Sequence, residues 1–265
     1  METCIMTRIA VDSTAHRPDA AAMAAMGAAA RAAALETAFA DASAEDILRA
    51  VFVDGVAGPA ALVSSFGAES AALLHLLSRA APDAPVLLLD TLLLFPETLA
   101  YQQDLSVRLG LTGVRRIQPQ DATLLREDPA DDLREHDTDA CCDLRKVRPL
   151  AAALMPFGAV VSGRKRFQAA TRTHLPRFEA DADGRIRVNP MANWTSEDVR
   201  AHIKTHNLPP HPLVAGGFAS IGCAPCTTPV AADEDPRAGR WRGSRKVECG
   251  IHFVNGQVVR PSRAA

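Results

Sequence analysis

The sequence predicts an α/β fold, a parallel sheet flanked by helices. Short apolar runs of strand type recur at AALVSSF (60–66), APVLLLD (84–90) and the end of AAALMPFGAVVSG (151–163). Stretches with leucines at helical spacing, such as GAESAALLHLLSRA, lie between them, and strands that alternate with helices build a parallel sheet covered on both faces. Each run also ends in a loop, and in such sheets ligands sit beyond the carboxyl ends of the strands.

Taken in order, residues 18–42 are alanine-rich, with helical propensity but few large anchors. They read as a helix of modest packing after a disordered start. SAEDILRAVF (43–52) opens with Ser and carries Glu and Asp in its first turn, a helix-start signature. PETLAYQQDLSVRLG (96–110) is a helix closed by Gly110. VRRIQP is a further strand, and 151–163 a helix running into a strand. From about Asn207 the chain turns to Pro- and Gly-rich loop, and IHFVNGQVVR looks like a hairpin around Asn255-Gly256. The organisation expected is an N-terminal segment (1–42), an α/β domain (43–226) and a C-terminal tail (227–265).

The 265 residues are 48% hydrophobic and 23% charged, enough apolar mass for a real core. A net charge of −2 gives no general attraction to nucleic acid or acidic membrane, so anion binding must come from local clusters. The start lacks a basic segment followed by a long apolar run, and no apolar stretch is long enough to span a bilayer. The expected location is cytoplasmic, where thiols stay reduced and the six cysteines serve metal binding or catalysis.

Three strand-ending loops, 64–70, 90–97 and 162–172, should face one cleft. In SSFGAES, backbone N–H groups and a helix N-terminus make a site suited to phosphate, although the Gly-Lys-[Ser/Thr] ending of a Walker loop is absent. In SGRKRFQAATR, Arg164, Lys165, Arg166 and Arg172 follow an apolar strand, where buried cations call for an anionic ligand. Together the two loops point to a phosphate-bearing nucleotide.

Cys141 and Cys142 are adjacent, and Cys223 and Cys226 form a C-x₂-C pair. Four thiolates hold either zinc or an iron–sulfur cluster. Neighbouring side chains diverge, which hinders convergence on one ion. A cubane takes each thiolate on a different iron, so adjacent cysteines fit a cluster better than zinc. Cys4 lies in the terminal segment and is treated as incidental. Cys249, in RKVECGIHF, has basic neighbours that favour the thiolate and Glu248 that opposes it; it is a candidate nucleophile.

CCDLRK, CAPC with the run to RAGRW, and ECGIH in this order resemble the assimilatory adenylyl-sulfate (APS) reductases, relatives of the phosphoadenylyl-sulfate (PAPS) reductases. The likeness runs from about Ser64 to His252. It implies the adenine nucleotide alpha-hydrolase fold, and a 4Fe–4S cluster on Cys141, Cys142, Cys223 and Cys226. It further implies that Cys249 attacks the sulfur of APS, releasing AMP and leaving a thiosulfonate, and that thioredoxin or a similar dithiol then releases sulfite. Lys146 would lie between cluster and substrate, and Arg237 and Arg240 would close over sulfate and phosphate. Ser64, Ser65, Phe66, Gly67, Leu89, Thr91, Gly163 and Arg172 would meet the nucleotide, and His252 would orient the tail or contact the substrate. The family usually has glycine where LDTLLLFPET has Leu92, so no ligand role passes to Leu92 or Leu93.

The cluster cysteines go with APS in this family, and enzymes without them use PAPS. The competing expectations are a PAPS reductase, an ATP-dependent thiolation enzyme of the same fold, and a Cys₄ zinc module that binds nucleic acid. The thiolation enzyme would carry an SGG-x-DS-type loop. The zinc module is disfavoured by the balanced charge and by only two Trp and one Tyr for stacking. No nucleic-acid or membrane partner is expected, and a homo-oligomer is left open.

Overall fold

The computed structural model describes residues 18–168, 172–243 and 246. Six strands, β1 (Ala60–Val63), β2 (Val86–Leu89), β3 (Val114–Ile117), β4 (Ala159–Ser162), β5 (Phe178–Ala180) and β6 (Ile186–Val188), form one sheet in the order β3-β2-β1-β4-β6-β5. All neighbours are parallel except β5 against β6. The central strands are apolar except for Ser162 at the end of β4 and are buried on both faces, as a helix-covered parallel sheet requires. No helix among the described residues is long and apolar enough to cross a membrane.

The helices are α1 (Ala20–Ala24), α2 (Ala28–Ala38), α3 (Ala44–Phe52), α4 (Ser70–Ala80), α5 (Pro96–Leu109), α6 (Asp121–Glu127), α7 (Leu133–His136), α8 (Thr138–Cys142), α9 (Arg148–Ala153) and α10 (Ser196–Thr205). Ser43 caps α3 by accepting from the Asp46 N–H, and Gly110 closes α5 at φ 65°. The main core gathers α3, α4 and one sheet face around Leu35, Ile47, Leu48, Leu62, Leu74 and Leu77. A smaller cluster on the other face packs Leu150 and Leu154 against Ala61, Leu87 and Val160.

Three features differ from the sequence reading. The alanine-rich helix α2 joins the core: Leu35 is fully buried, and Phe39 packs on Phe178 with ring centroids 5.6 Å apart. Its two large anchors find their partner on β5, a strand of three residues too short to stand out. The β5–β6 pair, turned at Gly184 with φ 83°, went unrecognised for the same reason. Helix α10 was also missed, although Thr195 and Asp198 cap each other's backbone N–H, a signature visible in the sequence.

Candidate active site

A cavity of about 650 Å³ opens at the carboxyl ends of the strands. Residues from all three predicted loops line it: Ser64, Ser65 and Gly67 after β1, Leu89 and Thr91 at the end of β2, and Gly163 and Arg172 after β4. Lys146, Cys223, Arg237 and Arg240 line it too. A second cavity, near 400 Å³ at the amino ends of β1 and β2, offers Asp83 as its one ionisable lining residue.

In the first loop, the Ser64 and Ser65 hydroxyls accept from the N–H groups of Phe66 and Gly67, at 3.1 and 3.3 Å. These are two of the donors expected to face an anion, so the loop presents serine hydroxyls as much as bare amides. Phe66 is the exception among the predicted contacts. Its φ of 48° turns the chain, and its side chain is wholly buried in the core rather than lining the cavity.

The basic loop is partly neutralised from within. Buried Arg164 pairs with Glu179, and buried Lys165 lies 3.0 Å from Glu69, with burial holding both cations below their usual pKa. The expectation that all these charges await a ligand is therefore corrected. Strand β5, 15 residues on from Arg164, and the start of α4, far back in the sequence, supply the two carboxylates. Arg166 is exposed and donates to the Leu175 carbonyl. Arg172, beside the cavity, donates to Gln168 at 3.0 Å.

The cysteine side is built differently. Asp137 caps α8, whose last two residues are the buried Cys141 and Cys142. The helix then widens into a π-turn over Asp143–Val147, a form frequent at functional sites. The change of phase buries Leu144, Arg145 and Lys146 together. Arg145 is held by Asp128 at 2.7 Å and Asp131 at 2.6 Å, and donates to the Thr91 carbonyl at 3.3 Å. A cation thus ties the cysteine turn to the strand-ending loop after β2.

CAPC reaches the same place from the other side. The Ala224 N–H donates to the Leu93 carbonyl at 2.8 Å, and the Cys223 thiol lies 3.2 Å from the Thr91 hydroxyl. The next run folds back on it: Trp241 N–H donates to the Cys226 carbonyl at 3.0 Å, and the Arg240 guanidinium stacks 4.5 Å from the Trp241 ring. A Cβ at Gly222 would lie 2.2 Å from Arg240 Nη2, so the guanidinium rests directly on that backbone.

Cys141 lies in the field of the other three thiols. Burial, then Cys142, Cys223 and Cys226, pushes the Cys141 thiol up to about 11, while Arg145 opposes this. Burial also raises Cys226, against the field of Lys146, Arg240 and Lys246. Yet among the described residues the one group of three or more metal-ligating side chains whose donor atoms all lie within 4.8 Å is a histidine trio elsewhere. Zinc with sulfurs at about 2.3 Å needs sulfur–sulfur edges of roughly 3.8 Å. No three of the four thiols meet even that wider 4.8 Å limit. Cys249 and His252, like Cys4 and the expected 255–256 turn, lie outside the described residues.

Leu92 takes the left-handed conformation, φ 64°. That conformation favours glycine; here the Leu92 N–H donates to Asp90 at 3.1 Å.

Comparison with known proteins agrees with this geometry. Residues 59–229 match the phosphoadenosine phosphosulfate reductase domain. Over 210 residues the chain is 50% identical to a Mesorhizobium japonicum protein named adenosine 5'-phosphosulfate reductase, covering 79% of this chain and 81% of that one. It is 40% identical over 196 residues to a Gloeobacter violaceus phosphoadenosine 5'-phosphosulfate reductase, covering 72% and 81%. Among solved structures, the Candida auris phosphoadenylyl-sulfate reductase in a phosphate complex aligns with a TM-score of 0.64 at 25% identity, covering 75% of this chain and 97% of that one. With a cavity at the strand ends that Cys223 lines and this similarity along most of its length, the chain belongs to the APS and PAPS reductase family.

Proposed function

We propose that the protein reduces adenosine 5'-phosphosulfate to sulfite and AMP, with Cys249 as nucleophile and thioredoxin or a similar dithiol as reductant, as a step of sulfate assimilation toward cysteine. The observation that carries this reading is a cavity lined by Cys223, Lys146, Arg172, Arg237 and Arg240, with Cys141 in the field of the other three thiols. The printed names of the most similar relatives support it.

APS places phosphate and sulfate side by side, so an approaching thiolate meets an anion. Lys146, Arg237 and Arg240 offset that repulsion by charge-assisted contacts and stabilise the departing AMP. Ser64, Ser65, Gly67, Leu89, Thr91, Gly163 and Arg172 hold the nucleotide. Cys249 Sγ forms a bond to the sulfate sulfur while the bond from that sulfur to the bridging oxygen breaks, and the electron pair leaves with AMP. The dithiol then attacks the Cys249 sulfur. Sulfite departs, a mixed disulfide forms, and the second thiol of the donor resolves it, so both electrons come from the donor. His252 helps to orient the tail.

Cys141, Cys142, Cys223 and Cys226 would hold a 4Fe–4S cluster, whose chemistry here is to shape the positive field around the substrate. Mass spectrometry after mixing the enzyme with APS and no reductant tests the reading. A sulfonate on Cys249, absent in Cys249→Ser, is the expected result. An unmodified thiol beside consumed APS would refute it, and equal turnover of PAPS would remove the proposed preference.

A further inference from the structure

His75 stands in the middle of α4, while His202 and His206 stand one turn apart at the end of α10. His75 Nδ1 lies 3.0 Å from His202 Nε2. The ring centroids of His75 and His206, and of His202 and His206, are each 4.4 Å apart. One donor nitrogen from each ring falls within 4.8 Å of the others. We propose that these three imidazoles form a binding site for a divalent first-row transition metal of the zinc class, separate from the cysteine pocket. The proposal is independent of the reaction assigned above.

Three arguments carry it. Residues four apart on a helix share a face, so His202 and His206 present two ligands as a preformed pair. Tetrahedral zinc with Zn–N near 2.0–2.1 Å needs nitrogen–nitrogen edges of about 3.3 Å. The closest pair already stands near that separation, at 3.0 Å, and the donor of the third ring lies within 4.8 Å of both. Imidazole is also the ligand that suits zinc, copper and nickel. Three protein nitrogens leave the fourth position to water on the open side, where His206 is exposed.

Such a metal would tie α4 to α10. Both helices also reach the cavity, α4 through Ser70 and Leu73 and α10 through Ser196 and Arg200. Metal at the trio would therefore brace two walls of that cavity from outside.

The test is a zinc titration of the full chain, purified anaerobically, against a competing chromophoric chelator. The wild type is expected to take one more equivalent than His206→Asn or His202→Asn, while His136→Asn, outside the trio, matches the wild type. At a hundredfold excess over Kd, the wild-type Tm should rise by about 5 °C or more, and the rise should vanish in the two variants. His206 is exposed at a helix end, so its variant folds and decides the matter if His202→Asn does not. The proposal is overturned if the histidine variants keep the full zinc stoichiometry. It is equally overturned if the equivalent is lost in Cys223→Ser instead, because the thiols then took the metal.

Discussion

One wall of the active-site cavity is made of strand ends, and the other of loops lying on loops. Ser64, Leu89 and Gly163 sit at the ends of β1, β2 and β4, in the middle of the sheet, and the ladder sets their relative positions. Cys223 to Trp241 has no such frame. Backbone hydrogen bonds to Leu93 and Gly217 place it, and internal ones to Cys226 and Gly239 fold it on itself. The buried Arg145–Asp128 pair, below the cysteine turn, fixes the surface on which it rests. The comparison teaches that precision is distributed over many bonds in the first wall and concentrated in a few in the second. Single substitutions should therefore hurt the loop wall more.

The largest effect should come from Arg145→Met. It strands Asp128, whose side chain is 1% exposed, without its cation. Breaking a buried pair from one side costs about 3–5 kcal/mol, so the thermal midpoint should fall by roughly 6–12 °C or more. A shift within 2 °C would show that the pair does not anchor the cysteine turn.

Gly239→Ala strikes the loop wall from above. The added Cβ would lie 2.1 Å from the Thr228 carbonyl, backbone against backbone, an overlap costing about 1–3 kcal/mol. Because Arg240 follows directly, sulfite release from APS should fall about ten- to a hundredfold with only a small loss of Tm. Unchanged turnover would mean that the 237–241 run takes no part in catalysis.

His211 marks the seam between the walls. It is buried, its Nδ1 accepts from the Leu213 N–H, and its other nitrogen faces the Thr98 hydroxyl at 3.0 Å. Burial lowers its pKa below 6.5. Between that lowered value and 6.5 the unfolded chain binds more protons than the folded one, so stability declines as pH falls through this window. The slope from this group is at most about 1.4 kcal/mol per pH unit. His211→Gln should flatten the denaturation midpoint against pH between 5 and 7; a profile as steep as the wild type would show that other histidines dominate.

The smallest effect belongs to Leu92. Left-handed backbone costs an L-residue about 1–2 kcal/mol, and glycine removes that strain while adding about 0.5–1 kcal/mol of chain entropy to the unfolded state. Leu92→Gly should be neutral to slightly stabilising by under about 1 kcal/mol, and Leu92→Val destabilising. The opposite order in chemical denaturation would remove strain from the account of this loop.

The first wall was legible in the sequence and the second only partly. Apolar runs such as VLLL read as buried strands because both sheet faces are covered, and the loops after them then had to share one end. Thr195 and Asp198 carry a helix signal at the spacing of a capping box. The partners of Arg164 and Lys165 were not legible, since Glu179 and Glu69 become neighbours only when β5 and α4 pack beside the basic loop. Nor was the joining of His75 to His202, which are 127 positions apart.

From residue order alone came the strand–helix alternation, the cleft at the strand ends, the paired cysteines and the demand for an unusual backbone at Leu92. These are local matters of periodicity, spacing and steric preference. Tertiary packing decided which cations meet a carboxylate, how the π-turn brings Lys146 inward, and which histidines meet. Those outcomes depend on pairings between distant segments, where a few ångströms separate a neutralised charge from a usable one.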